Sequence, residues 1–389
     1  MARLLYGGTV ITPLRTIEDA SLVVSDDGEI AFVGPMEEAP RVDGPRLNVR
    51  NRFIVPGFID IHVHGGNGVT FGGSPDAAGD VQAYSQWVPS TGVVGFLASI
   101  AAPDTPGLVK LVGELSATLD GELLGAEGLG LHLEGPFLNV EKKGAFNPAW
   151  LRKPSVGEAK LLLQAGGDWI RQVTIAPELP GTPDLAALFR SAGAVVSMGH
   201  TNADYDTASA ALSGDFAHVT HTFNAQRGFH HREPGVLGAI LASDWATAEL
   251  IADTIHVHPG AMRILLRCLG TKRVVLITDA MAGAGLPDGA YDLVGHTVTV
   301  RNGRATLADG TLAGSTAKMN DCVRNLHRQV GIALPDAVRM ASLNPACVLG
   351  LANRLGTLAV GKDASLTVID EDVNVHLTMV KGQIAYQRL

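Results

Sequence analysis

Eight short apolar bursts punctuate the middle of this chain: GFIDIHVHG, VVGFLASI, LGLHLEGP, QVTIAPE, AVVSMGHT, HVTHTFN, AELIADTIH and RVVLITDA. Between them run longer stretches such as DVQAYSQWVPSTG, PGLVKLVGELSATLDGELLG and PSVGEAKLLLQAGG, with apolar residues at helical spacing and glycine stops. Strands that are apolar on both faces and alternate with helices belong in a parallel sheet covered on both sides. Eight such units over roughly 250 to 300 residues predict an α/β chain built on a closed (β/α)8, TIM-like barrel. An open doubly wound sheet is the alternative. The segment HGGNGVTFGG after the first burst, however, lacks the G-x-G-x-x-G spacing that a dinucleotide loop needs.

Both ends of the chain read differently. LLYGGTVITP, SLVVSDDGEIAFVG and RLNVRNRFIVPG at the N-terminus, and ASLTVID and VNVHLTMVKGQIAYQ at the C-terminus, alternate with period two between turn residues. Chain termini commonly lie close together. The expected organisation is a small discontinuous β-sandwich domain from residues 1–55 and 356–389, with the catalytic barrel at 56–355.

Composition removes several function classes. With 30 Lys plus Arg against 39 Asp plus Glu, the net charge is -9. There is no basic run to neutralise a nucleic-acid backbone, and a small anion would need a local basic pocket. Cys268, Cys322 and Cys347 lack the number and spacing of a disulfide scaffold, a Cys-based zinc site or a redox pair. The N-terminal MARLLYGGTVITPLRT has no apolar core like that of a secretion signal, and no run approaches the ~18 apolar residues of a membrane span. A cytoplasmic protein that engages neither nucleic acid nor membrane is expected.

Nearly every burst ends on an ionisable residue: Asp60, His62 and His64 after the first, then Glu134, His200, His221, His256 and Asp279. Strand C-termini of a barrel converge on one face, so these residues should share one mouth. Several neutral imidazoles with carboxylates from different strands suit a borderline divalent cation such as zinc. In His62-Val63-His64 the two-residue period puts both rings on one face. A lone H-x-H is weak evidence, but together with Glu134, His200, His221 and Asp279 it is strong. His132, His218, His230, His231, His258, His296, His327 and His376 are read as hydrogen-bonded structural histidines.

PGFIDIHVHG resembles the first-strand signature of the amidohydrolase superfamily of metal-dependent barrel hydrolases. LHLEGPFLN, MGHTNADYD, THTFNAQ, HREPG, IADTIHVHP, ITDAM, LAGSTAKMNDCVRN and RLGTLAVGKDASL are similar to its N-acetylglucosamine-6-phosphate deacetylase branch, and the likeness spans the whole chain. The resemblance implies hydrolysis of the N-acetyl amide of an amino-sugar phosphate. It implies Glu134, His200 and His221 as ligands of the principal metal, and His62 and His64 as a pair able to build a second site. The cofactor is then one or two divalent ions per subunit: zinc, iron or manganese. Asp279 matches the catalytic aspartate and His256 a histidine placed against substrate. Ala145, Asn224, Ala225, Arg232 and the loop Leu312-Ala313-Gly314 match substrate contacts. Arg232 is expected to reach the neighbouring site of a homodimer.

One position departs from the pattern. Phe146 stands where the family commonly carries a histidine that helps hold the sugar phosphate. A phenyl ring stacks on a sugar face but cannot hydrogen-bond its oxygens, which leaves the sugar and the phosphate requirement open. The alternatives are a deacetylase of galactosamine phosphates, an aminoacylase or a cyclic amidase on the same barrel. A catalytically silent sugar-phosphate sensor would be expected to have lost ligands or the proton shuttle.

Overall fold

A computed structural model of the chain describes residues 2–293 and 295–388. The eight bursts form eight strands: β1 (Phe58–Val63), β2 (Val93–Ile100), β3 (Glu127–Glu134), β4 (Ile170–Ile175), β5 (Val195–Met198), β6 (His218–Val219), β7 (Thr247–Ile251) and β8 (Val274–Ile277). They hydrogen-bond side by side in chain order, every pair parallel. At the mouth the first and last strands join. The Asp279 N–H donates to the His62 carbonyl at 2.9 Å, and the His64 N–H donates to the Ala280 carbonyl at 2.8 Å. A helix follows each strand, from Ala77–Trp87 after β1 to Met319–Asn325 after β8.

These helices form for local reasons. In Thr105–Leu119, Leu108, Leu111, Val112, Leu115 and Leu119 recur at helical spacing and are all buried against the barrel, while Asp104 caps the first turn by accepting from the Gly107 N–H. The end opposite the mouth is closed by Ala346, Leu349 and Leu355, which pack with Ile59, Ile61, Leu97, Ile251, Val275 and Ile277. Asn344 ties that plug to β8 by donating to the carbonyls of Thr271 and Val274. The three cysteines are free thiols on helices, Cys322 buried and the other two exposed. Among the described residues no helix is long and apolar enough to cross a membrane.

Both termini build one second sheet. Phe53–Pro56 pairs antiparallel with Leu366–Ile369, stitching the N-terminal strands to the C-terminal ones. The sheet curls back on itself: the Ile30 N–H donates to the Lys362 carbonyl and the Ala364 N–H to the Gly28 carbonyl, each at 2.8 Å. The curl encloses a separate apolar core that includes Leu5, Leu22, Ile54, Leu366 and Leu377.

A third sheet, absent from the sequence reading, sits between β8 and its helix. Gly289–Leu293, His296–Arg301 and Arg304–Thr306 pair antiparallel. Its signal was present: Val298 and Val300 alternate with exposed residues, and Asn302-Gly303 is a strong hairpin turn, with φ of 50° and 73°.

Gly57 is the hinge between terminal sheet and barrel, its N–H donating to the Ser365 carbonyl at 3.1 Å. A Cβ there would lie 2.2 Å from Val94 Cγ1 in β2. Gly57→Ala should therefore cost about 1–3 kcal/mol of stability. Thermal melts should show Val94→Ala recovering part of that loss in the double variant, and strictly additive losses would refute the clash.

Candidate metal centre and active site

The strand ends deliver their side chains as a set. His62 lies in β1 and His64 just beyond it, Glu134 ends β3, and His200, His221 and Asp279 follow β5, β6 and β8. All six are buried. His200, His221 and Asp279 have φ of 46°, 28° and 49°, the left-handed region that residues with a Cβ avoid. Such strain costs about 1–3 kcal/mol per residue and is concentrated where side chains must turn into the mouth.

The six divide into two groups able to hold a metal ion: Glu134 with His200 and His221, and Asp279 with His62 and His64. Glu134 serves both. Its Oε1 lies 3.1 Å from the Nε2 atoms of His200 and His221, and its Oε2 lies 3.0 Å from His64 Nε2. His62 Nε2 is 3.4 Å from Glu134 Oε1 and 3.6 Å from Asp279 Oδ1, while His64 Nε2 is 3.4 Å from the same Oδ1.

The donor set fits a divalent cation. His62 Nε2 is buried with no hydrogen-bond partner. His200 Nδ1 donates to the Lys142 carbonyl at 2.8 Å, which leaves its Nε2 lone pair facing the cluster. In the metal-free protein the charges respond to one another. Burial would depress His64, but hydrogen bonds to Asp279 and Glu134 outweigh it and push its pKa up to about 9. Burial opposes ionisation of Glu134 and Asp279 as well, yet neighbouring His62, with the other imidazoles, holds both below the ordinary carboxylate range.

Above this floor opens a cavity of about 250 Å³, lined by polar His256, Asn224 and Thr311 and by the apolar faces of Phe146, Trp150 and Leu312. His256 Nδ1 lies 2.7 Å from Asp253 Oδ2, and Asp253 Oδ1 also accepts the His256 N–H at 2.8 Å. Burial opposes protonation of His256, but that contact raises its pKa above the usual histidine value.

A model of the amidohydrolase family matches residues 53–385. The N-acetylglucosamine-6-phosphate deacetylase of Bacillus subtilis is 40% identical over 97% of this chain and 95% of its own. The chain belongs to the amidohydrolase family. The N-acetylgalactosamine-6-phosphate deacetylase of Escherichia coli O157:H7 is 34% identical over 99% of this chain and all of its own. Among solved structures, N-acetylglucosamine-6-phosphate deacetylase from Pasteurella multocida superposes with a TM-score of 0.93 at 32% identity, covering 99% of both chains. A mutant of the Mycobacterium smegmatis N-acetyl-D-glucosamine-6-phosphate deacetylase in complex with N-acetyl-D-glucosamine-6-phosphate gives 0.92 at 35% identity, over 99% of this chain and all of that one.

Within this amidohydrolase the sequence-predicted residues separate by place. His64, Glu134, His200, His221, His256 and Asp279 line the cavity, as do Ala145, Asn224, Ala225, Leu312 and Gly314. His62 lies behind them. Ala313 is buried in the core of the three-stranded sheet, and Arg232 is exposed outside the cavity, its Nη1 2.8 Å from His231 Nε2. Asp60 does not share the mouth. It accepts from the Thr278 hydroxyl at 2.5 Å and lines a separate crevice with Tyr84 and Trp87. The register shift between Asp60 and Val63 is the cause, since it breaks the two-residue alternation.

Sequence reasoning also missed three participants. Asp253 lay three residues before His256, a visible carboxylate–histidine spacing. Glu249 was absorbed into an apolar burst. His296, read as structural, lines the cavity, and its buried Nε2 has no partner. Other histidines follow the structural reading: His132 bonds Ser99 and Thr174, and His258 caps the helix Pro259–Leu269.

Because His64 is protonated up to a pH of about 9 in the metal-free protein, a cation must displace that proton. Apparent metal affinity of the His62–His64–Asp279 group should rise as pH climbs from about 6.5 toward about 9. Calorimetric titrations in buffers of different ionisation heat should show proton release, and a pH-independent affinity across that window would contradict the coupling.

Proposed function

We propose that this amidohydrolase removes the acetyl group from N-acetylglucosamine 6-phosphate, releasing acetate and glucosamine 6-phosphate. The observation that carries the reading is the shared Glu134 carboxylate between two ligand groups, with Asp279 beside it at the floor of a sugar-sized cavity. Three of the four relatives above, one of them 40% identical to this chain, are named for the same reaction.

Glu134, His200 and His221 would hold one divalent ion, with His62, His64 and Asp279 able to hold a second; zinc, iron and manganese all suit such nitrogen and oxygen donors. When bound, such a cation lowers the pKa of water toward 7 and polarises a carbonyl. Asp279 accepts the proton of the attacking water as oxygen adds to the amide carbon. It then delivers that proton to the nitrogen as the C–N bond breaks, so the amine leaves neutral. His256, whose protonated form the Asp253 carboxylate favours, would donate to the carbonyl oxygen as negative charge develops there. Phe146 and Trp150 offer flat apolar surface to a sugar ring.

Phosphate recognition needs a cation that the cavity itself lacks, since none of its lining residues is Lys or Arg. Arg232 is exposed on the surface of its own chain. In a homodimer, Arg232 of the partner subunit would enter the mouth and pair with the phosphate. An acidic chain whose three cysteines are free thiols suits a reducing, cytoplasmic setting.

Acetate release should be measured from N-acetylglucosamine 6-phosphate, N-acetylgalactosamine 6-phosphate and unphosphorylated N-acetylglucosamine, on protein of known zinc, iron or manganese content. The phosphorylated glucosamine should be preferred, and faster turnover of the galactosamine phosphate would transfer the assignment. Asp279→Asn should lower kcat by about 10²–10⁴-fold while metal stays at the Glu134 group. Mixing Arg232→Ala chains with Asp279→Asn chains should restore activity, because one site of each mixed dimer is intact. No recovery from mixed dimers would remove the shared arginine.

A further inference from the structure

Of the four imidazoles in the two ligand groups, His62 is the one oriented by a carboxylate outside both groups. Its Nδ1 lies 2.9 Å from Glu249 Oε2, and neither side chain has any exposed surface. An ionised carboxylate only accepts hydrogen bonds, so Nδ1 carries a proton and Nε2 is the nitrogen left to face a cation. That Nε2 is the buried atom without a partner that faces Glu134 and Asp279.

The same Oε2 accepts the backbone N–H of His221 at 3.0 Å, while Oε1 accepts from Gln172 Nε2 at 2.7 Å. Glu249 thus stands on β7 and grips a ligand of one group by its ring and a ligand of the other by its backbone. The second grip falls on a residue held in the left-handed region. Among the described residues Glu249 forms no ion pair with Lys or Arg; the imidazoles beside it are those of His62 and, at 3.3 Å, His218. A carboxylate buried without a cationic side chain is costly, and it gains most when the imidazole it holds gives its other nitrogen to a cation.

We infer that Glu249 is the positioning residue of the centre: it fixes the His62 tautomer and binds the two ligand groups into one unit, so that His62 ligates a second ion. This rests on the metal-dependent reading above.

The test counts metal rather than turnover. Wild-type protein titrated with zinc should take up two ions, by elemental analysis and calorimetry. Glu249→Gln removes the negative charge behind His62 and leaves one acceptor oxygen in place of two, and should weaken the second ion by about 10–100-fold. Gln172→Met, which removes a different hydrogen bond to the same carboxylate, should leave both affinities near wild type. Two tight ions in Glu249→Gln, or equal losses in both variants, would overturn the inference, as would a wild-type protein that saturates at one ion. If Glu249→Gln fails to fold, nitrogen-15 NMR of zinc-loaded wild type decides, since His62 must show its proton on Nδ1 and a proton on Nε2 would refute the assignment. Wild type that binds no divalent ion at all would instead sink the metal-dependent reading itself.

Discussion

The bond from the Asp279 N–H to the His62 carbonyl closes the barrel, and the site depends on that closure. Asp279 and His62 lie more than half the chain apart, yet one backbone contact at 2.9 Å sets the spacing between the carboxylate of β8 and the imidazoles of β1. The neighbouring bond from His64 to Ala280 makes the junction two bonds wide. The loop before the last barrel helix is fastened to the same place, with the Ser315 N–H donating to the Asp279 carbonyl at 2.7 Å and the Ser315 hydroxyl to that of Thr278 at 2.5 Å. Leu312 and Gly314 therefore reach the cavity from a segment already registered to Asp279.

Clustering ionisable groups in this way works against folding. Glu134, Asp279 and Glu249 are carboxylates withdrawn from water, and His200, His221 and Asp279 sit in an unfavourable backbone region. Neither feature is explained by packing, which apolar residues with ordinary dihedrals would do at lower cost. Together they mark a place where the fold gives up stability to hold nitrogen and oxygen lone pairs pointed at a common space. The helices and the plugged base supply the compensating apolar burial.

Much of this was legible in the sequence because it breaks a local rule. A parallel strand buried on both faces reads as an unbroken apolar run, so an ionisable residue at its end stands out, and His62, His64, Glu134, His200, His221 and Asp279 were found that way. Asp60 met the same criterion and was misplaced, because a register shift within β1 turned it away from the mouth and no sequence pattern announces such a shift. Glu249 lies inside a strand rather than at its end, where a lone carboxylate among apolar residues has no spacing to interpret; only its partners on β1, on β4 and beyond β6 give it meaning. His296 was passed over for a different reason. Its importance comes from the three-stranded sheet that carries it over the cavity, and that sheet was missed despite the Asn302-Gly303 turn.

The terminal sheet follows from the same geometry. Phe53–Pro56 is pinned between Arg3–Ile11 and Leu366–Ile369, and the chain passes through Gly57 directly into β1. With Gly57 just before it fixed by that sheet, and His62 and His64 bonded to Asp279 and Ala280 beyond β8, β1 is held at both ends. Within it, Ile61 packs into the apolar base with Val275 and Ile277 while the very next residue, His62, reaches Glu134. Two consecutive residues can both face the interior only if the strand departs from regular pairing, and a strand free at one end would relax by slipping one residue and exchanging its faces. Anchoring β1 from outside the barrel keeps that irregular stretch, and with it the histidine pair, in place.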